Sequence, residues 1–352
     1  MISRILVIRL RAIGDVVLST AVLPNLREAY PNAVIHFMTE PPSVPVIEGH
    51  PAIDGVLAVP GDPWIRPFRK AAWLEFFRFA SALRKAKYDL VLDLFGNPRS
   101  AWITLFSGAR VRVGFGFRGR MVAYNRVVEP RGNSVHEVEV NLDALRKIGV
   151  PVVSAVPMLP FGAGERSTVD AWIRHNRLDQ NRLVALHVWG GWPAKRWGLN
   201  RFAGLADQLV SRHRAQVVLL WGPGERKHAE AVQSGMREAS VLAPKLSLKE
   251  LGALLSRCRL VVANDSGPMH IAAAVGAPTL GIFGPTHWRL QGPYGERSAV
   301  AYKKGLACLG CNKLECSHRT CMESLSVDEV LRVAEEALDF GSSARKPKGV
   351  HG

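Results

Sequence analysis

Short apolar runs alternate with amphipathic helical patterns along the first half of the chain. The opening run, Ile5–Leu10, is apolar on both faces, which is typical of a strand buried between two layers of helices. A helical pattern over Val16–Tyr30 follows it and ends where Pro31-Asn32 interrupts the periodicity. The other predicted elements of this half are strands over Ala33–Thr39, Val56–Val59, Leu90–Leu94 and Val111–Val113 and a last helix over His136–Ile148. This alternation predicts a parallel sheet of the α/β class.

A second alternating series follows a stretch rich in Pro and Gly, from Gly149 to Gly162, where we place a domain boundary. The predicted elements beyond it are strands over Leu183–Val188, Val217–Trp221, Leu260–Ala263 and Thr279–Phe283 and helices over Asn200–His213, Glu225–Met236, Leu248–Cys258 and Pro268–Val275. A final helix begins at a capping box of Ser326 and Glu329. We therefore predict two Rossmann-like domains in tandem, residues 1–160 and 161–340, with a ligand cleft between them. The polar, basic tail 341–352 is expected to be disordered.

The composition narrows the class of protein. With 352 residues, 47% of them hydrophobic and 22% charged, the chain can bury two cores. No apolar run reaches the roughly 18 residues that a membrane-spanning helix needs, and charged residues interrupt the opening run, so no export signal is predicted and we expect a cytoplasmic protein. A net charge of +16 favours an anionic partner: a nucleic acid, an anionic membrane surface or a phosphorylated substrate. No helix-turn-helix, zinc-finger or RNP pattern occurs, which argues against nucleic acid.

The strongest chemical signal is the segment from Val262 to His270, where a predicted strand ends in a polar loop and Pro268 opens a helix. The N–H groups of Ser266 and Gly267, together with the helix dipole, would form an anion site suited to a pyrophosphate. His270 lies one turn further and can donate to the same anion. The alternative interpretation is an ordinary strand-to-helix connection with an Asp or Ser cap.

Two glycine-containing loops also follow predicted strands. In the loop Trp189–Trp197, two glycines allow a ligand to approach the backbone closely, and Lys195 supplies positive charge. The alternative is a surface turn whose tryptophans seal a domain edge. In the loop Trp221–Glu225, the carboxylate of Glu225 suits bidentate hydrogen bonds from ribose hydroxyls, although it is equally suited to cap a helix.

Asp15 stands at the first strand-to-helix turn of the first half. It is either a helix cap or a general base, because a helix N-terminus favours the ionised carboxylate. An ionised carboxylate can accept a proton from an attacking sugar hydroxyl.

Together these motifs resemble glycosyltransferase family 9, the ADP-heptose–lipopolysaccharide heptosyltransferases. The resemblance runs from residue 4 to about residue 340 and rests on Arg11–Val16, Tyr88–Asp93, Trp192–Trp197, Asp265–His270 followed by Ala272-Ala273-Ala274, and Gly284-Pro285-Thr286. It implies the glycosyltransferase type B architecture, an acceptor-binding first domain and a second domain that binds ADP-heptose. It also implies inverting transfer without a catalytic metal.

Residue roles carry over from the resemblance position by position. Asp15 would be the general base, Lys195 would contact the donor phosphates, and Glu225 would bind the ribose. The remaining donor-binding positions would be Asp265, for the heptose or pyrophosphate, and Ser266, Gly267, Pro268, Met269 and His270, around the pyrophosphate. Trp189 and Asn97 depart from the family's pattern, which puts substrate identity in doubt more than reaction type.

The acceptor side is less well marked. Six aromatic side chains interleave with seven basic ones over Asp62–Lys87, a pattern that suits the headgroup region of an anionic membrane but equally suits an amphipathic helix packed on its own domain. Arg118 and Arg120 are candidates for acceptor phosphates or carboxylates. Asp93 is a further acceptor candidate and the second choice for the base.

Four of the five cysteines, Cys308, Cys311, Cys316 and Cys321, are spaced C-x2-C-x4-C-x4-C. Thiols this close in a cytoplasmic chain suggest structural zinc or iron, with reduced thiols as the alternative. No cofactor is expected for catalysis.

The predicted function is inverting transfer of heptose from ADP-heptose to the inner core of lipopolysaccharide, at the cytoplasmic face of the inner membrane and without a nucleic-acid partner. One alternative is a family relative that uses another nucleotide sugar or glycan acceptor. A more distant alternative is a non-catalytic basic protein that binds nucleotides or nucleic acid.

Overall fold

The computed structural model describes residues 2–59, 70–116 and 120–339. The chain divides into two compact units, Met1–Pro160 and Phe161–Gly352. The division falls near the end of the stretch rich in Pro and Gly. The tail 341–352, predicted to be disordered, lies outside the described residues.

The first unit is a parallel sheet with helices between its strands. Its elements in chain order are β1 (Arg4–Ile8), α1 (Ile13–Ser19), α2 (Val22–Ala29), β2 (Val34–Thr39), α3 (Val44–Ile47), β3 (Gly55–Ala58), α4 (Lys70–Lys85), β4 (Leu90–Asp93), α5 (Pro98–Phe106), β5 (Val111–Phe115), β6 (Arg126–Val128) and α6 (Glu137–Arg146). The strand order is β3-β2-β1-β4-β5-β6, and every pairing is parallel.

The second unit repeats this design. Its elements are α7 (Ala163–His175), β7 (Leu183–His187), α8 (Leu199–His213), β8 (Gln216–Leu220), α9 (Arg226–Gly235), β9 (Ser240–Leu242), α10 (Leu248–Leu255), β10 (Leu260–Asn264), α11 (Gly267–Ala274), β11 (Thr279–Phe283), α12 (Trp288–Gln291), β12 (Ser298–Tyr302), α13 (Thr320–Glu323) and α14 (Val327–Leu338). The strand order is β12-β11-β10-β7-β8-β9, again parallel throughout.

Both sheets have the doubly wound order in which the chain starts in the middle and reverses direction once. The reversal lies between β1 and β4 in the first sheet and between β7 and β10 in the second. The central strands are buried on both faces, as β7, β10 and β11 show along their whole length. Ligands of such sheets bind beyond the carboxyl ends of the strands, at the point of reversal. The predicted α/β class with two parallel sheets is confirmed.

One predicted helix is two helices in the structure. The pattern over Val16–Tyr30 divides into α1 and α2, with Thr20 between them. Pro24 supplies the reason: it has no N–H to donate to the carbonyl of Thr20, and its ring crowds that carbonyl. The Thr20 carbonyl instead accepts from the Leu23 N–H at 2.9 Å. The Thr20 hydroxyl donates to Val17 O at 2.7 Å and accepts from the N–H of Met158 at 2.8 Å.

The sequence analysis also missed the short strands β6, β9 and β12 and the helix α7. Each of these strands lies at a sheet edge and is only partly buried, so its apolar run is short and gives a weak signal. Along α7 only Val169 and Ile173 are buried. Among the helices that the structure describes, none is long and apolar enough to cross a membrane.

Candidate functional site

The second unit gathers polar side chains at the point where its strand order reverses. His187 is the last residue of β7, and Asn264 is the last residue of the neighbouring β10. The Asn264 side chain accepts from the N–H of Trp197 at 3.1 Å and donates to Val188 O at 3.2 Å. It thereby fixes both ends of the loop Trp189–Trp197 against the edge of the sheet.

Lys195, within that loop, forms a nearly buried ion pair with Asp265. Lys195 Nζ lies 2.6 Å from Asp265 Oδ2, and the two side chains are 14% and 6% exposed. The Thr286 hydroxyl donates to the same oxygen at 2.7 Å, and the Trp192 ring lies 4.0 Å from the ammonium group. The predicted donor residues Lys195 and Asp265 are thus in direct contact, and Asp265 holds the lysine charge at the strand ends.

Ser266, His187 and Glu225 form a hydrogen-bonded chain across three strand ends. Ser266 Oγ lies 3.2 Å from His187 Nδ1, and His187 Nε2 lies 3.3 Å from Glu225 Oε2. The N–H of Gly222 also donates to Glu225 Oε2, at 2.9 Å. Burial acts to raise the pKa of Glu225, but the hydrogen bond and charge of His187 and the Gly222 N–H outweigh it, so the pKa is lowered. Glu225 is therefore an anionic acceptor, and among the described contacts its Oε1 is left for a ligand hydroxyl.

The predicted anion loop lies where β10 turns into α11. Ser266 is the N-cap residue, Gly267 begins the helix and Pro268 occupies its first turn. The Ser266 hydroxyl does not cap its own helix but donates to Asn264 O at 2.9 Å. The first N–H groups of a helix have no carbonyl partner within it, which suits them to an anion. His270 is on the same helix and 6% exposed.

Met269, another predicted donor-binding residue, lies in the core of the second unit. Its side chain is fully buried and packs with Ala263 and Phe283, and its N–H donates to Ser266 O at 3.2 Å. Through this packing the Met269 side chain supports the loop between β10 and α11. A contact of Met269 with the donor stays a prediction.

Trp189 takes part in a three-layer stack. The rings of Trp189 and His228 are 3.3 Å apart and nearly parallel, at 8°. The Arg196 guanidinium covers the indole at 3.7 Å and donates to Gly190 O at 2.8 Å. The departure from the family's pattern at Trp189 is thus accommodated by stacking beside Glu225.

In the first unit, Asp15 lies in the first turn of α1. Its carboxylate accepts from the Ala12 N–H at 3.2 Å and pairs with Arg9 at 3.2 Å, and its side chain is 39% exposed. The Arg9 group also reaches Glu137, the first residue of α6, at 3.1 Å. Asp15 is therefore both tied to its helix and accessible, so the cap and base interpretations are compatible.

Asp93, at the end of β4, is arranged differently. It is 1% exposed and accepts from Tyr124 Oη at 2.7 Å, from the Gly96 N–H at 2.9 Å and from the Phe95 N–H at 3.0 Å. Burial raises the pKa of Asp93, while these hydrogen bonds oppose the rise. This geometry favours a structural role over the predicted contact with an acceptor. Asn97, the second departure from the family's pattern, caps α5 by accepting from the Ser100 N–H at 2.8 Å.

The remaining acceptor predictions are only partly covered by the structure. Arg118 lies outside the described residues, and Arg120 begins a short 3-10 helix, Arg120–Ala123. In the segment Asp62–Lys87, the residues up to 69 also lie outside the described residues. The remainder of this segment contains α4, on which Phe79 packs against the core and Leu74 is exposed. Binding of this surface to anionic membranes stays a prediction, which co-sedimentation with anionic vesicles tests.

The four clustered cysteines differ in their exposure. Cys308 and Cys311 are exposed, Cys316 is half-buried and Cys321 is buried, all as free thiols. Burial, followed by the nearby Cys308, Cys311 and Cys316, raises the pKa of Cys321. Within 2–59, 70–116 and 120–339, no three His, Cys, Asp or Glu side chains are grouped closely enough to hold a metal ion. Binding of a structural metal by the four thiols stays a prediction.

The sequence analysis assigned no role to His187, Thr286, Arg9 or Glu137. His187 and Arg9 carried a usable signal, because each is a polar residue at the carboxyl end of an apolar strand run. Glu137 lies far along the chain from Asp15, with which it shares Arg9. Thr286 likewise lies far along the chain from Asp265, to which it donates. Only the folded sheet shows that proximity.

Two doubly wound sheets in one chain, with glycine loops and charged side chains at the strand ends of the second, are features of nucleotide-dependent α/β enzymes. The profile of glycosyltransferase family 9 (heptosyltransferase) matches residues 76–322. The chain is 30% identical to lipopolysaccharide heptosyltransferase 1 of Pseudomonas aeruginosa over 348 residues, 96% of this chain and 93% of that protein. The chain therefore belongs to glycosyltransferase family 9 and is a transferase.

Solved structures confirm the fold. A family 9 glycosyltransferase from Veillonella parvula superposes with a TM-score of 0.82 at 24% identity, covering 96% of this chain and 97% of that one. E. coli heptosyltransferase WaaC with ADP superposes with a TM-score of 0.74 at 21% identity, covering 95% and 99%. The chain therefore shares its fold with both proteins.

Proposed function

We propose that this glycosyltransferase moves heptose from ADP-heptose to the inner core of lipopolysaccharide by a single inverting displacement. The Pseudomonas aeruginosa relative is a lipopolysaccharide heptosyltransferase, and the E. coli structure is that of a heptosyltransferase with ADP. The observation that carries the proposal is the set of groups at the strand ends of the second unit: the paired Lys195, the anionic Glu225 and the N-terminus of α11.

Each group meets one part of an ADP-sugar. Glu225 Oε1 would accept from a ribose hydroxyl, and Ser266, Gly267 and His270 would receive the pyrophosphate at the start of α11. Lys195 would balance the phosphate charge while Asp265 and Thr286 hold it in place. The stack of Arg196, Trp189 and His228 lies beside Glu225, next to these donor-binding groups.

The chemistry follows from these contacts. The acceptor hydroxyl oxygen attacks the anomeric carbon, and the bond from that carbon to the pyrophosphate oxygen breaks with its electron pair on the oxygen. ADP leaves with that charge stabilised by Lys195, His270 and the helix N-terminus. The hydroxyl proton passes to the carboxylate of Asp15, because an unassisted hydroxyl is a weak nucleophile.

The donor assignment predicts that Glu225→Ala and His270→Ala each weaken ADP binding. A lost hydrogen bond to a charged group costs about 1.5–3 kcal/mol, which is about ten- to a hundredfold in affinity. Titration calorimetry with ADP alone measures the effect. Glu230→Ala is the matched control, since that carboxylate lies on the same helix and pairs with Arg226 at 2.9 Å. Unchanged ADP affinity in both donor-site variants would overturn the assignment.

A further inference from the structure

The Arg9 guanidinium is a buried bridge within the first unit. Arg9 follows β1 and is 8% exposed, and one of its nitrogens donates to Leu94 O at 2.5 Å. The other terminal nitrogen lies 3.2 Å from Asp15 Oδ2 and 3.1 Å from Glu137 Oε1. The Phe95 ring lies 5.5 Å from its central carbon. One fixed cation is therefore shared by two carboxylates from different helices.

The two carboxylates differ in their surroundings. Asp15 has a second donor, the Ala12 N–H, and is the more exposed, at 39% against 27% for Glu137. Burial is the largest cause that raises the pKa of Glu137; the charge of Asp15 adds to it and Arg9 opposes it. The Asp15 charge therefore acts on the Glu137 carboxyl, and both carboxylates compete for the same guanidinium nitrogen.

From this geometry we propose that Glu137 is a positioning residue that sets the basicity of Asp15 through the shared Arg9 guanidinium. The proposal rests on the proposed function, in which Asp15 takes the proton of the acceptor hydroxyl. With Glu137 ionised, Arg9 divides its attraction between two anions, and Asp15 remains a stronger base than it would be as the sole partner of a buried arginine.

The other charged groups around this cluster are engaged elsewhere. Glu40, after β2, pairs with Arg99 of α5 at 3.1 Å. His136, before α6, accepts from the Val138 N–H at 3.2 Å, and Asp93 is held by Tyr124. The charges that act on the Glu137 carboxyl are those of Arg9 and Asp15.

The test is the pH dependence of kcat/KM for transfer in Glu137→Gln. The substitution keeps the size and hydrogen bonding of the side chain but removes its charge, so Arg9 then acts on Asp15 alone. We expect the acid limb of the profile to move to lower pH by about half a unit to one unit and the plateau rate to fall because the base is weaker. ADP affinity, measured by calorimetry, should stay that of the wild type.

Two further variants separate this role from a structural one. Glu139→Gln removes a carboxylate from the same helix, where it pairs with Arg146 at 2.7 Å, and should leave the profile unchanged. In an Asp15→Asn background, Glu137→Gln should not change the residual rate. An unshifted acid limb in Glu137→Gln, or a further loss of rate in the double variant, would overturn the proposal. Absence of transfer by the wild-type enzyme would instead overturn the proposed function.

Discussion

His50 is a buried, neutral histidine between α3 and β3. It is 3% exposed, and its Nδ1 accepts from the Ala52 N–H at 3.2 Å. Its Nε2 has no hydrogen-bond partner among the described residues. Burial lowers the pKa of His50 from 6.5 to about 4. Protonation is therefore easier in the unfolded chain than in the folded one.

This difference predicts a loss of stability as the pH falls from about 6.5 to about 4, because the unfolded state binds the proton first. The difference between the pKa of His50 in the unfolded and in the folded chain corresponds to about 3 kcal/mol in the free energy of unfolding. Denaturant unfolding at pH values across this window should show a shallower decline for His50→Gln than for the wild type. His175→Gln, at an exposed position of α7, serves as the control and should follow the wild type. Equal slopes in all three proteins would contradict the assignment.

At the scale of single residues, the sequence located the charged groups but not their partners. Asp15 was preferred as the base because it stands at a strand-to-helix turn, with Asp93 as the second choice, but no pattern along the chain indicated how different their surroundings are. The difference arises from Tyr124, which is 31 positions from Asp93 along the chain and donates to its carboxylate. A ribose contact of Glu225 was predicted from its loop and stays a prediction, whereas its contact with His187 required the sheet to bring β7 and β8 side by side.

At the scale of elements, apolar runs located the buried strands well because a parallel sheet covers both of their faces. The pattern failed where a strand is short and partly exposed, as in β6 and β9. It also failed at α1 and α2, since hydrophobic periodicity does not register the missing N–H of Pro24. The capping box at Ser326 was predicted correctly: Glu329 accepts from the Ser326 N–H at 2.8 Å, and the Ser326 hydroxyl caps the Glu329 N–H at 3.2 Å.

The cysteine segment is the element whose role the structure leaves as a prediction. Cys308, Cys311, Cys316 and Cys321 are the predicted ligands of zinc or iron, while among the described residues no three His, Cys, Asp or Glu side chains are grouped closely enough to hold a metal ion. If they do bind one, protein purified from metal-replete, reducing medium should carry about one metal ion per chain. Elemental analysis measures this content. Finding neither zinc nor iron would reject the metal and leave four reduced thiols.

At the scale of the whole molecule, the alternation of strands and helices was sufficient to predict two parallel α/β units. It was not sufficient for the number of strands, because edge strands carry weak signals. The strand order places Asp15 and Glu225 each beyond the carboxyl edge of its own sheet, after β1 and β8. The proposed division of labour follows: donor binding belongs to the second unit and proton removal to the first.

The measurement that tests this account most directly pairs the transfer rate with ADP affinity in Asp15→Asn. The variant keeps the size and polarity of the side chain but cannot take the acceptor's proton. Turnover should fall by about a hundred- to ten-thousandfold, while ADP affinity stays close to that of the wild type because the donor contacts lie in the other unit. Asp54→Asn, whose carboxylate pairs with Arg27 at 2.7 Å in the same unit, should retain full turnover. Near-normal turnover of Asp15→Asn would contradict the account and reduce Asp15 to a helix cap.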